Sequence, residues 1–183
     1  RHARMEGQRV AVVAVDPSSP FSGGAILADR IRMEEHALDQ DVFVRSLSSR
    51  GHLGGLSRAA GQVVDLLDAA GWDLIVVETV GVGQSELAVC EVADTVVVIL
   101  TPESGDTVQT MKAGLIEIAD IFVVNKADRA GAHILCRELE DAVQLDARRA
   151  YSAPVFRASA LRDEGVAEVI TGIRDHHTWC QGE

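Results

Sequence analysis

Four consecutive residues, Asn125-Lys126-Ala127-Asp128, follow the apolar run Ile121-Phe122-Val123-Val124 and precede a helical pattern. A carboxylate there can accept two N–H bonds, from N1 and the exocyclic amine of a guanine, a pairing that adenine does not offer. The Asn can bond elsewhere on the purine or tie loops together, while the Lys stem covers the base. A second string, Glu78-Thr79-Val80-Gly81-Val82-Gly83-Gln84-Ser85-Glu86, also leaves an apolar run. Glu78 is a hard oxygen ligand suited to Mg²⁺, directly or through water. Gly81 lets the backbone approach a terminal phosphate and donate its N–H. Asp16 closes the first apolar run, and Asp29 stands thirteen residues further on. Two carboxylates delivered to one pole of a sheet can share a metal or orient an attacking water. Asp29 is equally a helix-face residue pairing with Arg30 or Arg32.

Other readings of the glycine-containing string are weaker. It lacks the third glycine of a dinucleotide fingerprint. Gly83-Gln84-Ser85-Glu86-Leu87 lacks the closing glycine of a hydrolase elbow, so Ser85 is a poor nucleophile.

The elements that position these residues alternate along the chain. Val10–Val15 is an uninterrupted β-branched run, as expected of a strand covered on both faces, and Asp16-Pro17 ends it. Helical patterns are expected over 25–38, 56–70, 86–92, 110–118, 133–145 and 166 to about 176. Strands are expected over 42–44, 73–78, 95–100, 121–124 and 154–156. Such alternation implies an α/β fold, a mostly parallel sheet with helices on both faces. Ligands of such sheets sit beyond the carboxyl ends of the strands. Asp16, Glu78-Thr79-Val80-Gly81, Thr101-Pro102 and Asn125–Asp128 all fall at strand ends, and Ser159-Ala160-Leu161 follows the last strand.

Composition narrows the class. The 183 residues carry 17 Lys+Arg against 28 Asp+Glu, a net charge of −11, which disfavours a duplex-DNA reader. Hydrophobic residues make up 47% and aromatics only 4%, so the core must rest on Val, Ile, Leu and Ala. No apolar run reaches the length of a transmembrane helix, and the N-terminal residues lack the apolar stretch of a signal peptide. Cys90, Cys136 and Cys180 are widely spaced and odd in number, reading as free thiols of a cytoplasmic protein. His176-His177 with Cys180 is not taken as a metal trio, being expected at a frayed end without a fourth ligand.

These strings together resemble the MeaB/ArgK/MMAA-type P-loop GTPases, which assist adenosylcobalamin-dependent methylmalonyl-CoA mutase. Asp16-Pro17-Ser18-Ser19-Pro20 with Gly23 to Arg30 is similar to their first switch, and Glu78–Glu86 to their second. Asn125–Asp128 matches the base-specificity motif and Ser159–Leu161 the last guanine loop. Gly105-Asp106-Thr107-Val108-Gln109 through Lys112 resembles a third switch that relays nucleotide state to the mutase. The resemblance implies GTP and Mg²⁺ as cofactors, with Asp16 and Glu78 as catalytic residues and Asp16, Asp29 and Glu78 around the metal. Gly81, Asn125, Lys126, Asp128, Ser159, Ala160 and Leu161 would contact GTP, the last three through backbone N–H on the base oxygen. Asp106 and Lys112 would signal to the partner. It also implies a cytoplasmic homodimer for the complete protein, with no nucleic-acid or membrane partner.

The family's phosphate-gripping Gly-x-x-x-x-Gly-Lys-Ser/Thr is not found in the 183 residues, whose only lysines are Lys112 and Lys126. Residues 1–183 are therefore expected to form a partial G domain, lacking the first strand, that loop and the C-terminal dimerisation arm. Little GTPase activity and unpaired sheet edges are expected of it. Two alternatives stay open: a non-catalytic interaction domain that lost nucleotide binding, and a nickel-insertion metallochaperone GTPase. The Val80–Ser85 continuation favours the mutase-associated branch over the latter.

Overall fold

The computed structural model describes residues 1–16, 36, 38–48, 58–79, 92–103, 115–145 and 150–182. Asp29, Gly81, Asp106 and Lys112 lie outside the described residues, as does Cys90. The chain divides into two compact units, Arg1–Ala93 and Asp94–Glu183.

The first unit opens with α1 (His2–Met5) and contains β1 (Val10–Asp16), β2 (Val42–Ser48), α2 (Arg58–Ala69) and β3 (Leu74–Thr79). Its sheet is parallel, in the order β2-β1-β3. The β-branched run of β1 sits centrally, and Ala11 through Val15 are buried, as the sequence predicts. Ala11 and Val13 pack with Leu67 and Val63 of α2 and with Ile75 and Val77 of β3. The β3 strand departs from expectation. Val76 is 40% exposed and Glu78 is exposed too, because the Ile75/Val77 face of β3 is the one that meets α2.

Arg4 ties α1 to the entry of β2. Its guanidinium donates to both oxygens of Asp39, at 2.8 and 3.0 Å, and to Asp41 at 2.9 Å. Arg4's hydrogen bonds, then the Asp41 backbone N–H, hold the Asp39 carboxyl below its ordinary range. A lowered carboxyl contributes stability that is complete above about pH 4 and lost as pH falls through the lowered value. Arg4→Met is therefore expected to shrink the loss of stability between pH 5 and the acid limb. Melting temperatures of both proteins across that range check it, and an unchanged acid limb refutes it.

The second unit holds β4 (Val97–Leu100), α3 (Leu115–Ile118), β5 (Ile121–Val124), α4 (Ala132–Leu145), β6 (Val155–Arg157) and α5 (Val166–Gly182). Its sheet is parallel, in the order β4-β5-β6. Alternation along β5 divides two cores. Phe122 and Val124 pack with Leu135, Cys136 and Leu139 of α4, whereas Ile121 and Val123 pack with Val169 and Ile173 of α5. Helices thus cover both faces of this sheet. α5 lies so close to β6 that a Cβ at Gly172 would overlap the Phe156 ring, 2.5 Å from Cε2.

Two boundaries differ from the sequence expectation. β4 begins at Val97 rather than Thr95. The Val96 N–H donates to the Asp120 side chain at 2.8 Å, and the Thr95 hydroxyl meets His176 Nδ1 at 2.9 Å. α5 continues past His176 to Gly182, so this end is packed and not frayed. His176 is 2% exposed, with the Tyr151 ring edge-on at 4.6 Å and Trp179 stacked at 5.8 Å. Helical periodicity fades there because its ends are aromatic and polar, yet these groups find partners. Among the described residues, no helix is long and apolar enough to cross a membrane.

Candidate functional site

In the second unit, the loops leaving β4, β5 and β6 at their carboxyl ends converge. The turn after β5 is tight: Lys126 has φ 55°, and its carbonyl accepts from Arg129 N at 2.9 Å. Ala127 N donates to Ala158 O at 3.0 Å, joining this turn to the strand end of β6. Asn125 Oδ1 accepts from Lys126 N at 2.8 Å and from Ala160 N at 3.1 Å. Asn125 thus ties the two loops through its Oδ1.

The Asp128 carboxylate is the polar focus. Its side chain is 20% exposed; Oδ1 accepts from the Ser159 hydroxyl at 3.0 Å, and Oδ2 lies 3.5 Å from Arg162. The Ser159 hydroxyl is the main cause holding this carboxyl below its ordinary range, opposed by partial burial and aided by the loop's own backbone and by Arg162. Asp128 thus stays an ionised double acceptor through neutral and mildly acidic pH, the state a guanine edge requires.

The Ser159 loop differs in detail from expectation. Ser159 N donates to Glu164 O at 2.9 Å and Ala160 N to Asn125, so these two amides are engaged within the protein. Ser159 acts on the site through its hydroxyl. Leu161 is 97% exposed at the loop's crest. Lys126 Nζ donates to Glu103 at 2.9 Å, an ion pair with both side chains about half exposed. That pairing holds Glu103 below the ordinary carboxyl range and joins the segment after β5 to the one after β4. Glu103 and Arg162 escape sequence reasoning because each is an ordinary charged loop residue until the fold gives it a partner.

In the first unit, Asp16 and Glu78 occupy the carboxyl ends of neighbouring parallel strands. Glu78 pairs in register with Ala14, and Asp16 lies two residues further along β1. This donor chemistry, all oxygen and anionic, fits a hard divalent cation. Among the described residues no group of three His, Cys, Asp or Glu is gathered to hold a metal. The third expected ligand, Asp29, is outside them.

Parallel strands, two covering helices and a guanine-type Asn-Lys-x-Asp turn at a strand end define the G-domain class of α/β proteins. The chain belongs to the family described as methylmalonyl Co-A mutase-associated GTPase MeaB, whose profile matches residues 1–183. A protein of Pyrococcus horikoshii named as a GTPase is 51% identical over 185 residues, covering 99% of this chain and 58% of its own length. The GTPase ArgK of Escherichia coli is 41% identical over 178 residues, covering 94% of this chain and 54% of its own. Among solved structures, one titled LAO/AO transport system kinase matches with a TM-score of 0.71 and 33% identity, over 97% of this chain and 52% of that one. HypB of Helicobacter pylori in complex with nickel matches with a TM-score of 0.61 but 18% identity, a likeness of fold alone. The chain spans about half the length of the curated relatives it matches.

Proposed function

We propose that this chain is the base-recognising and metal-organising part of a GTPase that assists an adenosylcobalamin-dependent methylmalonyl-CoA mutase. The observation that carries this reading is the Asp128 carboxylate, hydrogen-bonded by the Ser159 hydroxyl and fixed between two loops that Asn125 ties together. Asp128 selects guanine by accepting from N1–H and the exocyclic amine. Lys126, paired with Glu103, covers the base, and the Ser159–Leu161 loop borders it.

Glu78, Asp16 and Asp29 are the residues that would hold Mg²⁺, which when bound neutralises charge on the phosphates. Glu78 and Asp16 orient the water that attacks. Gly81 senses the terminal phosphate, and Asp106 with Lys112 form the surface read by the mutase. The family description, a methylmalonyl Co-A mutase-associated GTPase, supports the mutase as partner. A homodimer in the cytoplasm is the proposed state of the complete protein. No Gly-x-x-x-x-Gly-Lys-Ser/Thr string occurs in the 183 residues. Positioning and charge neutralisation dominate phosphoryl transfer, so the chain alone is expected to hydrolyse GTP poorly.

Base recognition is testable without the phosphates. With ¹⁵N-labelled chain, millimolar guanosine is expected to shift the amide resonances of 125–128 and 159–161, whereas adenosine at the same concentration leaves them in place. Equal shifts with both nucleosides, or none with either, refute the assignment and favour a non-catalytic interaction domain.

A further inference from the structure

We propose that Arg162 is an internal stand-in for the guanine edge, occupying the Asp128 carboxylate until a base displaces it. This inference rests on Asp128 as the base-recognising residue. Guanine presents that carboxylate with an N–C–N unit bearing N–H donors, N1–H and the exocyclic amine on one carbon. An arginine side chain ends in the same planar N–C–N unit with N–H donors. In this protein Arg162 Nη2 lies 3.5 Å from Asp128 Oδ2, the oxygen not engaged by the Ser159 hydroxyl. The loop presents it there. Ser159 N donates to Glu164 O, Glu164 N to Ser159 O, and Arg162 N to Ser159 O at 3.0 Å, so Arg162 rides a closed turn beside Asp128.

The hold is loose. Arg162 is 56% exposed, and 3.5 Å is a charge contact rather than a close bidentate pair. Asp128, by contrast, is only 20% exposed, and a partly buried carboxylate without a cationic neighbour is costly. Arg162 thus stands at Oδ2 yet yields to a ligand offering two aligned donors. The consequence is competition: every guanine that docks must first move a cation, so apparent base affinity is set partly by Arg162.

Guanosine is the suitable probe because it carries no charge, so the salt response of its binding comes from the ion pairs of the site, of which Arg162–Asp128 is the one that the Arg162 variants change while Lys126–Glu103 stays in place. For the wild-type chain, guanosine affinity from amide-shift titration is expected to rise as ionic strength increases from 0.05 to 0.5 M, since salt weakens the competing pair (values chosen for a roughly threefold change in Debye length). Arg162→Gln is expected to bind guanosine about two- to fivefold more tightly at low salt, the range of an exposed ion pair, and to lose most of that salt response. Arg162→Lys, which keeps the charge but not the planar fork, is expected to fall between the two. Guanosine affinity that is unchanged or weaker in Arg162→Gln, with the wild-type salt response retained, overturns the stand-in role while leaving base recognition by Asp128 intact. Failure of guanosine to shift the amides of 125–128 in any of the three proteins overturns the underlying reading as well.

Discussion

Gly165→Ala is expected to lower the melting temperature by about 10 °C, from a loss of about 3 kcal/mol at roughly 2–4 °C per kcal/mol for a chain of this size. Two costs combine. Gly165 has φ +73°, a left-handed conformation that costs a residue with a Cβ about 1–2 kcal/mol. The added Cβ would also overlap the Arg157 carbonyl oxygen and sit 3.1 Å from Ala158 Cα. These are backbone atoms of β6 and its exit, so they yield only by moving the strand end, at a further cost of about 1–3 kcal/mol. Gly165 immediately precedes α5 and its carbonyl accepts from Val169 N at 3.3 Å, so displacement spreads into the helix covering one face of the sheet. The same shift disturbs the Ser159–Glu164 bridge, and with it the hydroxyl that lowers the Asp128 carboxyl. The substitution should therefore raise the Asp128 pKa towards the ordinary value as well as lowering stability. Calorimetry and a carboxyl titration followed by NMR measure the two effects. A fall in melting temperature below about 3 °C would mean the β6–α5 junction relaxes around the new methyl.

That glycine shows where sequence reading succeeds and where it stops. Apolar runs such as Val10–Val15 and Ile121–Val124 specify buried parallel strands because burial on both faces permits no polar residue, a pattern needing no tertiary information. The Asn125–Asp128 turn is legible for a related reason: its residue types and place after a strand restrict its chemistry. The neighbours that tune it are not legible. Glu103 meets Lys126 across 23 positions of sequence, and the Ser159 hydroxyl meets Asp128 across 31. Neither separation has a periodicity to betray it. The same holds for His176, which reads as the polar end of a fading helix. Thr95 and Tyr151, drawn from distant positions, and Trp179, one turn along the same helix, give it a buried place. The central place of β1 in the order β2-β1-β3 is also hidden from the sequence, since parallel neighbours need not follow one another along the chain.

Asp128→Asn is expected to invert base preference, weakening guanosine by about 10- to 100-fold and making xanthosine the better ligand. Guanine offers two donors, N1–H and the exocyclic amine, to two acceptor oxygens. An asparagine keeps one acceptor and turns the other into an NH₂, which opposes the guanine amine. The loss of one hydrogen bond to a charged group, about 1.5–3 kcal/mol, sets the range. Xanthine has N1–H but a carbonyl at position 2, so the same amide meets it with one acceptor and one donor. The surroundings favour a clean result. Ser159 donates to Oδ1 at 3.0 Å, and an asparagine carbonyl still accepts that bond, though without the charge, so the turn keeps its anchor. Asn125 Oδ1, bonded to Lys126 N and Ala160 N, holds the two loops together independently of position 128. Paired titrations with guanosine and xanthosine, below the pH at which xanthosine ionises, give the ratio directly. Equal weakening of both nucleosides would mean that position 128 supports the loop and does not read the base. Unchanged preference would remove the carboxylate from recognition and leave the turn a structural joint between β5 and β6.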